Sequence, residues 1–111
     1  MFYFEGQRFS LGGGLTYRPD FILPEYRVGG RQVVLEPHGV WRPGHEEEVT
    51  EKYRLFRELY GSLYYLVLIV QPREYTRVRD LYPDAYDDIV ESNRMPDLLY
   101  MLKSGGYKQI F

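Results

Sequence analysis

Two rhythms of apolar residues divide this chain into extended and helical segments. Side chains alternate faces along a strand, whereas a helix returns to one face every three to four residues. Phe2, Phe4 and Phe9 mark a strand over Met1–Leu11, closed by a Gly12-Gly13-Gly14 turn. A second strand follows over Leu15–Leu23, interrupted by Pro19, and the stretch Pro24–Gly30 reads as a loop ending in the turn signal Gly29-Gly30. Arg31–His38 is a third strand, with Val34, Glu36 and His38 on one face and Val33 and Leu35 on the other. Breakers at Pro43 and Gly44 turn the chain between Gly39 and Gly44.

The rhythm then changes. Val49, Tyr53, Phe56 and Tyr60 form one stripe, which predicts a helix over Glu46–Tyr60. Glu46, Glu47 and Glu48 suit the positive end of its dipole, and Gly61 ends it. The run Leu63–Val70 is apolar throughout, as expected of a strand in the middle of a sheet with both faces covered. Beyond Pro72 the pattern predicts short helices at roughly 73–81, 83–92 and 96–104, with Pro83 and Pro96 in first turns. The expectation is an α/β fold: a mixed central sheet of about four strands, a helix after the third strand, and short C-terminal helices.

Composition bounds the function. The 111 residues suffice for a single domain, here a core over 1–71 and a C-terminal helical segment over 72–111. Hydrophobic residues make up 44%, so a packed core rather than a disordered chain is expected. No apolar run approaches the ~20 residues that span a membrane. The opening Met-Phe-Tyr-Phe-Glu lacks the basic start of a signal peptide, so a cytoplasmic protein is expected. The absence of cysteine excludes disulfides, zinc–thiolate sites and cysteine nucleophiles. Abundant Arg and Glu with 12 tyrosines suggest a heat-adapted, thermophile source. The net charge of −2 argues against a nonspecific nucleic-acid coat, although a local basic groove is compatible with it. Asp80, Asp84, Asp87, Asp88 and Glu91 make one segment a poor surface for phosphate.

The chemistry concentrates on the third strand. Glu36 and His38 share a face, and the preceding strand carries Pro19-Asp20. If the two strands pair as a hairpin, Asp20 joins Glu36. Two converging carboxylates form a hard oxygen site for Mg²⁺ or Mn²⁺. Such an ion can acidify a bound water and neutralise charge on a phosphoryl group.

The segments Tyr17-Arg18-Pro19-Asp20-Phe21-Ile22-Leu23-Pro24 and Val33-Val34-Leu35-Glu36-Pro37-His38-Gly39 resemble the signature of the PD-(D/E)XK, or restriction-endonuclease-like, nuclease superfamily. The order hairpin, third strand, helix and fourth strand is similar as well, over about half the chain. The resemblance implies metal-dependent endonuclease activity on DNA, with Asp20 and Glu36 as metal ligands. His38 stands where the family has a lysine. At an unperturbed pKa of about 6.5 it is a base or ligand rather than a fixed cation. Lys52 is the candidate substitute from the helix. Arg18, Arg42 and Arg54 are candidate phosphate contacts, and Trp41 a candidate base-stacking residue. The usual N-terminal helix of the family core is lacking. A homo-oligomer is expected to supply that cover, because Leu98 to Leu102 present five apolar residues in a row. The alternative is a catalytically inactive nuclease-fold protein serving as an interaction or assembly subunit.

One geometric condition separates these readings from chance similarity. A tight turn at Gly29-Gly30 pairs Val28 with Arg31 and, carried on in register, turns Asp20 away from Glu36. The site requires Asp20 opposite Glu36, through a longer loop or a compensating bulge.

Overall fold

The computed structural model describes residues 3–4, 7–38 and 44–105, with only the backbone of Tyr3 and Phe4. Its strands are β1 (Tyr3–Phe4), β2 (Phe9–Gly12), β3 (Leu15–Tyr17), β4 (Phe21–Val28), β5 (Arg31–His38), β6 (Tyr64–Val70) and β7 (Asp88–Glu91). The helices are α1 (Glu46–Tyr60), α2 (Pro72–Leu81) and α3 (Met95–Ser104), the last preceded by a short 3₁₀ turn at Ser92–Arg94. Five strands form a mixed sheet in the order β1-β4-β5-β6-β7, and β2 and β3 form a separate hairpin. β4 runs antiparallel to both of its neighbours, β1 and β5, while β5, β6 and β7 run parallel.

Each face of the sheet has its own cover. Val34, Leu66, Leu68, Val70 and Ile89 pack against Tyr53 and Phe56 of α1 and Tyr75 and Val78 of α2, with Phe9, Leu11 and Tyr17 of the small hairpin closing the same layer. The rings of Phe9 and Phe56 meet edge to face at 5.0 Å. On the other face Val33, Leu35, Val67, Ile69 and Val90 pack against Leu98 and Leu102 of α3. The apolar strand β6 is therefore central and buried on both sides, as its sequence requires. Both layers come from one chain. In α3, Leu98 and Leu102 are buried while Tyr100 is 73% exposed, so the five-residue apolar run is divided between the core and the surface. No helix among the described residues is long and apolar enough to cross a membrane.

Three sequence expectations need correction. Met1–Leu11 is not one strand. Its described parts are β1 in the main sheet and β2 in the hairpin, where the Gly12–Gly14 turn folds Phe9, Leu11 and Tyr17 onto α1. The stretch Pro24–Gly30 is not a loop, because β4 runs on to Val28 and only Gly29 and Gly30 turn. Both glycines have positive φ (60° and 82°), the requirement of a tight hairpin turn. The segment 83–92 is not helical and interrupts the expected C-terminal helical segment. Ile89 and Val90 point to opposite faces of the sheet and β7 pairs in parallel with β6.

The decisive register combines a tight turn with a bulge. Val28 pairs with Arg31 and Arg27 with Gln32, yet further along Leu23 pairs with Val33 and Phe21 with Leu35. Pro24, Glu25 and Tyr26 lie between these blocks with no counterpart on β5. An odd number of extra residues exchanges the faces of everything beyond them. Pro24 has no N–H to offer a ladder, so the discontinuity falls where pairing is weakest. Continuing the register by one residue from Phe21–Leu35 sets Asp20 across from Glu36.

Asp87 ties the layers together. Its Oδ1 accepts hydrogen bonds from Arg31 at the start of β5 and from Arg57 of α1, each at 3.1 Å. Its Oδ2 accepts the backbone N–H of Leu66 at 2.8 Å. Only 8% of the side chain is exposed, so the acid-rich segment turns this charge inward. Asp87→Ala should lower stability by about 2–3 kcal/mol, because two cations and a buried N–H lose their acceptor. Asp87→Asn should cost less, since its carbonyl can still accept from Leu66. Urea unfolding at constant m-value checks both, and a change below 0.5 kcal/mol in the alanine variant would make this network incidental.

Candidate functional site

Glu36 sits near the C-terminal end of β5 on the face beneath α1, and only 6% of it is exposed. The Tyr17 hydroxyl, at the end of β3, donates to its Oε1. The backbone N–H of Asp20 donates to the same oxygen at 3.3 Å. Tyr17 is itself packed edge to face on Tyr53 (5.7 Å) and Phe56 (5.1 Å). The carboxyl thus lies in an aromatic enclosure with one oxygen anchored by two donors.

The electrostatics follow from that enclosure. Burial, the largest influence, pushes the Glu36 carboxyl from 4.5 up to about 8, and the neighbouring Asp20 charge pushes the same way. The Tyr17 and backbone hydrogen bonds oppose the rise and are outweighed. At neutral pH Glu36 therefore holds a proton. Burial first, and then the Glu36 charge, pushes the Tyr17 hydroxyl well up as well. Tyr17 remains a neutral donor throughout the physiological range.

His38, two residues along the same face, has its Nδ1 3.3 Å from the Tyr53 hydroxyl. Glu46 in the first turn of α1 lies close enough for the imidazole's charge to help lower its pKa. The larger influence there is the hydrogen bond from Arg77 at 2.6 Å, and Tyr82 donates to the same carboxylate at 2.6 Å. Tyr17, Tyr53 and Glu46 were not singled out as site residues from the sequence. Tyr17 directly precedes the Arg18-Pro19-Asp20 segment, and its proximity to Asp20 was the available signal.

The remaining candidates are dispersed. Arg18 is exposed, and the exposed Asp20 lies beside Glu36. Lys52 is half-buried on α1, and no hydrogen bond or ion pair joins it to Asp20 or Glu36 among the described residues. Arg54 is clamped on the surface of α1 by Glu51 (2.6 Å) and Glu58 (2.9 Å), so its charge is already met. Arg42 and Trp41 lie outside the described residues. Among the described residues no cluster of three or more His, Asp or Glu side chains is arranged to hold a metal ion. No family model matches the chain, and neither a curated protein nor a solved structure matches it.

The pair Asp20–Glu36 can hold a proton or receive a cation. The Tyr17 hydroxyl and the Asp20 backbone N–H both donate to Oε1, and the protonated carboxyl also hydrogen-bonds the Asp20 side chain, so a cation received by the pair would take the place of that proton between two hard oxygen donors. The proton on Glu36 makes folding pH-dependent. Below 4.5 the group is protonated whether folded or unfolded. Between 4.5 and about 8 the folded state binds more protons than the unfolded chain, so stability falls as pH rises through this window. Glu36→Gln keeps the shape and the acceptor for Tyr17 without the ionisation. The wild type should therefore lose a few kcal/mol relative to this variant between pH 5 and pH 8. Denaturant titrations across that range check it, and parallel pH profiles would mean that Glu36 ionises like an exposed acid.

Proposed function

We propose that the chain is a metal-dependent DNA endonuclease of the restriction-endonuclease-like type, with Asp20 and Glu36 as its acidic pair. The observation that carries this reading is the three-residue bulge in β4, which sets Asp20 across from Glu36 despite a tight turn at Gly29-Gly30. The succession of antiparallel β4 and β5, helix α1 and parallel β6 supports it further.

Asp20 offers an exposed carboxylate, and Glu36 becomes a second ligand on releasing its proton. Tyr17 keeps its hold on Oε1 and orients the carboxyl. A bound Mg²⁺ or Mn²⁺ would supply Lewis acidity toward water and the phosphoryl oxygens. His38, tethered by Tyr53, is positioned to take or give a proton at the same edge. Arg18, two residues before Asp20, and Lys52, next to Tyr53 on α1, are the candidate cations for the water and the phosphoryl group. A second copy of the chain would let two sites address both strands of a duplex, with the exposed Tyr100 of α3 as an available contact. Light scattering at micromolar concentration should then give a dimer that Tyr100→Lys dissociates, and a monomeric wild type would remove the second copy.

The rival reading is an inactive nuclease-fold protein acting in assembly. The protonated, tyrosine-capped state of Glu36 favours it, as does the lysine's replacement by His38. Conversion of supercoiled plasmid DNA in Mn²⁺ decides between them. The wild type should nick it, and Asp20→Ala and Glu36→Ala should each lower the rate at least ~100-fold, the scale of lost transition-state charge stabilisation. Calorimetry should show divalent-ion binding that disappears in Glu36→Ala. Nicking and ion binding that survive both substitutions would sink the nuclease reading.

A further inference from the structure

The bulge in β4 interrupts the ladder, although the two strands have a complete pairing open to them. β4 and β5 have eight residues each. Strict pairing from the Gly29-Gly30 turn would match all of them, from Val28 opposite Arg31 to Phe21 opposite His38. The observed register instead leaves Pro24, Glu25 and Tyr26 out of the ladder. Something in the sequence must disfavour the complete pairing.

Two adjacent residues do so. The backbone N–H of Gln32 donates to the Leu63 carbonyl at 2.9 Å, so Gln32 directs its hydrogen-bonding groups at β6. These groups alternate sides along a strand, and those of Val33 and Leu35 therefore face β4. Strict pairing would set Pro24 opposite Leu35. A proline has no N–H for the Leu35 carbonyl, and Leu35 is only 1% exposed, so water could not replace the donor. Strict pairing would also set Glu25 opposite Val34, on the face covered by α1. Val34 is fully buried there with Phe56 and Leu66, and a carboxylate in that layer is strongly unfavourable. In the observed register Glu25 is exposed, and Ile22 stands opposite Val34.

We propose that Pro24 and Glu25 are positioning residues, which exclude the complete β4–β5 ladder and so hold Asp20 across from Glu36. The complete ladder would carry Asp20 three residues, about 10 Å, past Glu36 and set Leu23 opposite the carboxyl instead. The Asp20 N–H would then leave Oε1 of Glu36. The lock on register stands apart from any activity; its effect on cleavage rests on the nuclease reading.

Proton NMR reads the register directly, because the Hα atoms of a non-hydrogen-bonded pair lie close enough for a strong nuclear Overhauser effect. The wild type should show this effect between positions 22 and 34. Pro24→Val combined with Glu25→Val should move roughly half or more of the molecules to an effect between positions 25 and 34, since both penalties are lifted. Deleting residues 24–26 should preserve the 22–34 effect, because the tight turn alone then sets Leu23 opposite Val33. Residues that merely stabilised β4 would be missed at least as much in the deletion as in the double substitution. A double variant that keeps the wild-type register in most molecules, or a deletion variant that loses it, would overturn the proposal. If the double variant does not fold, the deletion variant decides alone. In Mn²⁺ the double variant should nick plasmid DNA at least ~100-fold more slowly than the wild type, and the deletion variant at nearly the wild-type rate. A register shift in a protein that never nicks retains the lock and removes the nuclease reading. Nicking that depends on Asp20, with the register unmoved in the double variant, does the reverse.

Discussion

A carboxyl group enclosed by aromatic rings governs this sheet edge. Glu36 could be buried only if something met its lone pairs, and the structure meets them from two directions at once. Tyr17 reaches in from the small hairpin and the Asp20 backbone from the start of β4. The hairpin in turn is held by Phe9 and Tyr17 against α1, and Tyr60 of α1 donates to the Ser10 carbonyl at 2.8 Å. Removing the hairpin would open one side of the carboxyl to water and free α1 on its outer flank.

The bulge in β4 performs the complementary task on the backbone. A hairpin with two glycines at its tip defaults to strict pairing, and strict pairing would have turned Asp20 to the far face. Three residues without partners reverse that outcome within a single strand. They also leave the Gly29-Gly30 turn undisturbed, so the tip keeps its preferred geometry while the far end gains a new facing. Arg31, directly after the turn, is drawn to Asp87 and the Gly61 carbonyl, which fixes the start of β5 independently of its partner strand. With β5 held at that end and in parallel register with β6, the slip is confined to β4.

Much of this was legible in the residues. Alternation along Arg31–His38 assigned Glu36 and His38 to one face, and the Val49–Tyr60 stripe identified the helix that covers it. The unbroken apolar run to Val70 identified the central strand. Strand β7 was obscured because its four residues open and close with acids, Asp88 and Glu91, and only Ile89 and Val90 carry an apolar signal. Two apolar residues cannot distinguish a short strand from part of a helix. The extension of β4 through Pro24 was obscured by a proline that normally ends pairing, and is tolerated here at the bulge. Tyr17 and Tyr53 were lost among 12 tyrosines, since their importance arises from distant chain segments meeting.

The same enclosure that steadies Glu36 sets the terms on which it could act. An ionised Glu36 beside Asp20 in this surrounding is unfavourable, so a proton or a cation must accompany the pair. On the nuclease reading, proton and metal therefore compete for one carboxyl, and affinity for the ion rises with pH until Glu36 is ionised near pH 8. In that reading a lysine's permanent charge is replaced by an imidazole lying between Tyr53 and the field of Glu46. Glu46 is already engaged by Arg77 and Tyr82, which limits its pull on the ring. Glu36 is thus balanced between a proton and a cation, with the aromatic layer around Tyr17 and Tyr53 setting that balance.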